Sequence, residues 1–132
     1  MTNLRFVMGL CLVLPLLVQA GPVETLLDSY QQMGGSDFSA AQGEIRWKQV
    51  SKHPKNGKEK SCSDCHTSDL TQVGKHAKTG KKIKPIAPSA NPKRLTDEAK
   101  IEKWFKRNCK WTLGRECTPQ EKGDFLVYMQ QQ

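Results

Sequence analysis

The sequence predicts a small all-α domain. Four segments repeat apolar residues at helical spacing, and three of them begin at a capping residue. No stretch alternates apolar and polar residues as a half-buried strand would. Between the second and third helical segments lies a long polar region rich in lysine, glycine and proline. It holds Cys62-Ser63-Asp64-Cys65-His66. No internal repeat is evident.

The chain opens with Arg5 and an apolar run from Phe6 to Val18, then Gln19, Ala20 and Gly21. One cation, a short apolar run and small residues at Val18 and Ala20 have the pattern of a secretory signal peptide. The run is shorter than the ~20 residues that span a bilayer. The expectation is cleavage after Ala20, a periplasmic location and no stable membrane insertion. Residues 21–132 then form a single domain, which loses Cys11 and keeps Cys62, Cys65, Cys109 and Cys117. The formal charge of +8 falls to +7 with the loss of Arg5. Such a balance suits nucleic acid, a membrane surface or an acidic protein. Export argues against nucleic acid. Aromatic residues are 7% of the chain, so a core made of side chains alone would be modest.

The first helix is expected from Val23 to Met33, with Val23, Leu26, Leu27 and Tyr30 on one face and Gly34-Gly35 ending it. A second should start near Ser39, which has capping-box spacing to Gln42. Ile45 and Val50 supply its apolar contacts. Gly43 in its middle costs about 1 kcal/mol relative to alanine, and close approach of another helix would explain it. Ser51 to Ser61 reads as a polar loop, and a short helical turn carries Cys62 to His66. Thr67 to Arg94 reads as a long irregular stretch. Loops of that length are uncommon unless functional. Thr96 caps a third helix, with Asp97 and Glu98 at its positive end and Ile101, Trp104 and Phe105 on its apolar face. Gly114 marks a turn. The last helix begins Thr118-Pro119-Gln120-Glu121, a cap, a first-turn proline and a capping-box glutamate, and runs through Phe125, Leu126, Tyr128 and Met129.

The motif Cys62-x-x-Cys65-His66 is the attachment sequence for haem c. Two thiols at this spacing reach the two vinyl groups of one haem, and the adjacent histidine offers an imidazole to its iron. A redox dithiol would want a βαβ context. Half a zinc site would want a second ligand pair. Neither is found. Buried haem would supply the apolar surface that the composition lacks, wrapped by the long loop. Cys109 and Cys117, close together in an oxidising compartment, pair naturally as a disulfide of roughly 2–3 kcal/mol. The alternative, two free thiols, is one that exported proteins avoid.

The other side of the iron is less plain. Many electron-transfer cytochromes c use a methionine there. Residues 67–117 contain none, Met33 lies on the first helix, and Met129 reads as core. Three candidates remain: His76, His53 and Asn108, which shares a helical face with Ile101, Trp104 and Phe105.

Several segments resemble the sphaeroides haem protein (SHP) family of small class I cytochromes c. They are Arg94-Leu95-Thr96-Asp97, Ile101-Glu102-Lys103-Trp104, Arg107-Asn108-Cys109, Leu113 to Pro119 and Glu121-Lys122, with Lys84 to Ser89 and Gln42-Gly43-Glu44 upstream. The resemblance implies a class I cytochrome c fold of four to five helices around one covalent haem. It implies His66 as proximal ligand, Asn108 as distal ligand and a disulfide beside it. Pro85 and Pro88 correspond to the segment whose carbonyl orients the proximal histidine. Trp104 and Phe105 would shape the distal pocket. The resemblance also implies a dihaem cytochrome c as electron donor. Ten lysines, from Lys48 to Lys84, surround the motif and would suit an acidic redox partner, or simply keep the chain soluble.

The expected function is electron acceptance from a partner and, on reduction, release of a weak asparagine ligand in favour of O2 or NO. The alternatives are a plain electron carrier whose iron stays six-coordinate through His76 or Asn108, and an enzyme reducing a small oxygen or nitrogen species. No residue outside the pocket has the setting of a general acid or base. His53 and His76 would serve only if they faced it.

Overall fold

The computed structural model describes residues 20–132, so the export segment lies outside the described residues except for Ala20. Among the described residues there are five helices: α1 (Pro22–Gln32), α2 (Ala40–Lys48), α3 (Ser63–His66), α4 (Glu98–Leu113) and α5 (Pro119–Gln130). Among the described residues, no helix is long and apolar enough to cross a membrane.

The caps follow the side chains that make them. Ser39 Oγ accepts from Gln42 N–H and starts α2. Thr118 and Glu121 form a reciprocal capping box at α5 behind Pro119. At α4 the cap is Asp97, which accepts from Lys100 N–H at 2.9 Å. Thr96 instead donates its hydroxyl to Lys93 O. Both residue types cap well; the carboxylate, one position nearer the helix, takes the role.

α2 and α5 pack at the distance of a missing side chain. A Cβ on Gly43 would meet Asp124 O at 2.2 Å and Tyr128 Cβ at 2.5 Å. Close helix approach is therefore what the glycine provides. Beside it Asp124, 1% exposed, accepts from Ser39 N–H at 2.9 Å, Arg46 Nε at 3.1 Å and Gln120 Nε2 at 3.0 Å. The apolar contact of α2 comes from Trp47, which is buried. Ile45 and Val50 are exposed, contrary to expectation. Helix phase explains this, because burying Gly43 and Trp47, four residues apart, turns Ile45 outward. Val50 lies beyond the end of α2.

The polar loops are also more ordered than their composition suggests. β1 (Ser51–Lys52) pairs antiparallel with β2 (Glu59–Lys60), and β3 (Gly74–Lys75) with β4 (Lys82–Ile83). The loops between them are a repeat: Lys52-His53-Pro54-Lys55-Asn56-Gly57-Lys58 and Lys75-His76-Ala77-Lys78-Thr79-Gly80-Lys81. Both follow the pattern Lys-His-x-Lys-x-Gly-Lys. In each, the histidine N–H donates to the last lysine's carbonyl at 2.8 Å, and the glycine N–H donates back to the histidine carbonyl. Gly57 and Gly80 both sit at positive φ, +65° and +70°, where a Cβ is unfavourable. Two-residue strands carry no alternation to detect, which is why neither hairpin was expected.

The disulfide joins Cys109, on α4, to Cys117 across Gly114, with Cα atoms 5.5 Å apart. Gly114 has φ +74° and lies on hairpin one, where a Cβ would meet the Pro54 ring at 2.5 Å.

Two substitutions test the α2–α5 seam. Gly43→Ala should destabilise the holoprotein by about 1–3 kcal/mol, although alanine is the better helix former. Asp124→Ala should cost about 1–3 kcal/mol, because it removes the buried acceptor shared by Ser39 N–H, Arg46 and Gln120, while Arg46 keeps Glu121 at 3.8 Å. Denaturant midpoints measured at constant slope check both.

Candidate haem site

α3 is one turn, and the motif holds its own geometry. Cys65 and His66 N–H both reach Cys62 O. Asp64, inside the motif, accepts from Ser61 N–H at 2.7 Å and Ser61 Oγ at 2.8 Å. β3 lies against this turn so closely that a Cβ on Gly74 would be 2.1 Å from Cys65 O. Behind His66 stands Trp47 of α2, its ring 5.5 Å away. Trp47 Nε1 donates to Thr67 O at 2.9 Å. The α2–α5 seam is thus tied to the residue that follows His66.

A cavity of about 590 Å³ opens in front of this turn. Cys62, Cys65, His66, Trp104, Phe105 and Asn108 all line it, and so does the disulfide pair, Cys109 and Cys117. Pro85 and Pro88 do not; Lys84 and Ile86 do. His66 makes no hydrogen bond to that segment. Pro85 O accepts instead from Arg94 Nε at 2.8 Å and Asn91 Nδ2 at 3.2 Å. His53 is buried in its hairpin against α4, whereas His76 lines the cavity. Met129 is buried and lines the cavity as well.

The electrostatics separate the motif from a reactive dithiol. Burial first, and the charge of Asp64 second, push the Cys62 thiol up to about 12. A nucleophilic Cys-x-x-Cys needs the opposite shift. Burial, and after it the Arg94 charge, pulls the His66 imidazole down to about 4. The ring is therefore neutral at neutral pH, as a metal ligand must be. Among the described residues, His66 Nδ1 is the one buried side-chain nitrogen or oxygen without a hydrogen-bond partner. Such an atom is costly unless something satisfies the ring.

Haem fits these features. Trp47, Ile101, Phe105, Phe125 and Met129 offer an apolar lining. The lining also includes Lys84, Lys93, Arg94, Lys100 and Arg107, against the single acid Asp97. Arg94 is half-buried and fixed by two carbonyls, Pro85 O and Lys84 O at 2.7 Å. It has no carboxylate within ion-pair distance among the described residues, and burial lowers its pKa. A flat apolar ring bearing two carboxylates and a metal answers the lining, the cations and the imidazole together. Trp47 and Arg94 were not singled out as site residues from sequence. Trp47 belongs to α2, far from the motif in apparent phase, and Arg94 sits at the end of a stretch read as irregular.

Comparison with known proteins agrees with this geometry. A family profile described as a domain of unknown function (DUF1924) matches residues 33–129. Cytochrome c-type protein SHP of Cereibacter sphaeroides is 52% identical over 69 residues, 52% of this chain and 53% of that protein. Cytochrome c'' of Methylophilus methylotrophus is 43% identical over 91 residues, 69% of this chain and 62% of that protein. The chain thus matches about half to three-fifths of the length of these two curated relatives. The structure of oxidised SHP, described as an oxygen-binding cytochrome c, superposes with a TM-score of 0.75 at 37% identity. That match covers 86% of this chain and 100% of the other. The solution structure of cytochrome c'', described as giving insight into haem-ligand detachment, superposes with a TM-score of 0.73 at 37% identity, over 83% and 93% of the two chains. The chain belongs to this family and is, like SHP and cytochrome c'', a c-type cytochrome of class I fold with covalently attached haem c.

Proposed function

We propose that this is an exported cytochrome that takes one electron from a protein partner and then binds a small diatomic such as O2 or NO where a weak ligand has left. The observation that carries the reading is that His66 and Asn108 line one cavity. Haem, when bound, would supply a redox-active iron. Cys62 and Cys65 would hold the ring by thioethers. His66, neutral and backed by Trp47, would be the permanent ligand.

Asn108 is half-buried on α4, beside the disulfide. Its amide oxygen is a hard, weak donor that suits ferric better than ferrous iron. Reduction would therefore favour its departure, and Trp104 and Phe105, which line the cavity, would limit what enters. SHP is described as binding oxygen and cytochrome c'' as detaching a ligand. Both descriptions support the reading by kinship.

The rim supports an acidic electron donor, such as a dihaem cytochrome c. Of the ten lysines from Lys48 to Lys84 around the motif, Lys48 is paired, with Glu44. The other nine have no carboxylate within ion-pair distance among the described residues. Unpaired lysines of one sign steer an oppositely charged partner.

A plain electron carrier is the competing reading, and one observation favours it: Met129 also lines the cavity. Spectra decide between them. Asn108→Ala should move the ferric protein toward high spin and leave ferrous NO uptake intact. Asn108→Met should keep both oxidation states low-spin and block NO. An unchanged ferric spectrum in Asn108→Ala would remove Asn108 from the iron. A wild-type ferrous protein that stays low-spin and ignores NO would sink the release step.

The partner surface is tested separately. Electron transfer from an acidic dihaem cytochrome should slow roughly tenfold between low and physiological ionic strength. Rates indifferent to salt would reduce the lysines to a solubility role.

A further inference from the structure

The two hairpins use their histidines in the same way and differ in what the free side of the ring faces. In hairpin one, His53 Nδ1 accepts from Lys55 N–H at 3.3 Å. A nitrogen that accepts a backbone N–H carries no proton, so the neutral ring bears its hydrogen on Nε2. That Nε2 lies 3.3 Å from Lys110 O, in the last turn of α4. Its hydrogen is therefore donated to a helix-end carbonyl, and His53 is buried there. The device is closed.

In hairpin two, His76 Nδ1 accepts from Thr79 N–H at 3.1 Å, with Thr79 Oγ1 also at 3.1 Å. The same rule places the proton on Nε2. Both side-chain hydrogen bonds of His76 among the described residues are at Nδ1, so Nε2–H of this half-buried ring has no protein acceptor among them. The ring lies against Trp111, with centroids 6.2 Å apart. Lys60 Nζ stands 3.9 Å from the Trp111 centroid and donates to Trp111 O at 2.8 Å. His76, Trp111 and Asn108 line the same cavity, and Trp111 follows Asn108 by about one turn of α4.

We propose that His76 is the hydrogen-bond donor for the small ligand, presenting Nε2–H to a polar diatomic held in this cavity. The inference rests on the ligand-binding reading given above. It also assigns His76 a role other than iron ligand. A coordinating Nε2 would need its lone pair free, which would force the proton onto Nδ1, against Thr79 N–H. A donor aimed at a bound diatomic strengthens dioxygen, which becomes polar on binding, far more than carbon monoxide. Distal donors are one of the means by which a haem pocket sets its ligand preference.

The test compares dissociation of dioxygen and carbon monoxide from the reduced holoprotein. H76F keeps a ring against Trp111 and removes the donor; H76Q keeps an N–H. H76F should release dioxygen about tenfold faster, with carbon monoxide release changed less than about twofold. H76Q should stay near wild type. Equal acceleration of both gases, or none, would overturn the proposal while leaving ligand binding in place. A wild-type protein that takes up neither gas would overturn this proposal, and one that also ignores NO would overturn the ligand-binding reading with it. Independently of gas kinetics, ring nitrogen chemical shifts of His76 in the diamagnetic reduced protein should report the Nε2–H tautomer. An Nδ1–H tautomer or a ligated ring would refute it.

Discussion

The contact of α2 on α5 at Gly43 governs how the motif is held. Backbone lies on backbone there, because a Cβ would come within 2.2 Å of Asp124 O. That closeness turns Trp47 inward and Ile45 outward. Trp47 then stands behind His66 and binds the carbonyl of Thr67. The α3 turn is too short to be stable alone. Its rigidity is borrowed from the seam, from Asp64 clasping Ser61 and from β3 lying on Cys65 O. Asp124 locks the seam electrostatically by collecting three donors, one of them Arg46.

The opposite wall is organised differently. α4 carries Ile101, Phe105 and Cys109 inward; at its middle Glu102 accepts from Tyr30 Oη and Lys122 Nζ, and its C-terminal end is held as well. The disulfide ties Cys109 to the turn after Gly114. His53 accepts one hydrogen bond and donates another to Lys110 O, and Lys60 binds Trp111 O. Hairpin one is therefore a clamp on the end of the helix that bears Asn108. Its lysine-rich composition suggests a solvated loop, and its geometry is structural.

Much of this was legible from residue types whose chemistry is local. Ser39, Thr118-Pro119 and Glu121 announce helix starts because a cap is a short-range hydrogen bond. Gly43 announces a close contact because glycine in a helix needs a reason. Cys62, Cys65 and His66 announce haem because their spacing matches one ring. The missed features depend on longer range or on phase. Asp97 and Thr96 are equivalent caps until the α4 backbone is placed. The hairpins have strands too short to show alternation, and the repeat is hidden because lysine is common throughout the region. Trp47 belongs to the site only through helix packing. Arg94 does so only after Pro85 and Lys84 carbonyls have fixed its guanidinium.

These two walls bear on how a weak ligand would leave. Asn108 sits on a sixteen-residue helix, clamped at its end and covalently tied one residue later. A large hinge movement of α4 would break the clamp and strain the disulfide. On the proposed reading, release then depends on the ligand's own chemistry and on side-chain rotation, not on displacement of an element. A hard amide oxygen loses its advantage on reduction, and two side-chain torsions suffice to withdraw it. The vacated space would stay bounded by Trp104, Phe105 and Trp111, which line the cavity and which an unmoved helix would not carry away. A cavity that kept its shape on reduction would hold the donor proposed at His76 at one place, so that reduction alone would decide when a ligand meets it.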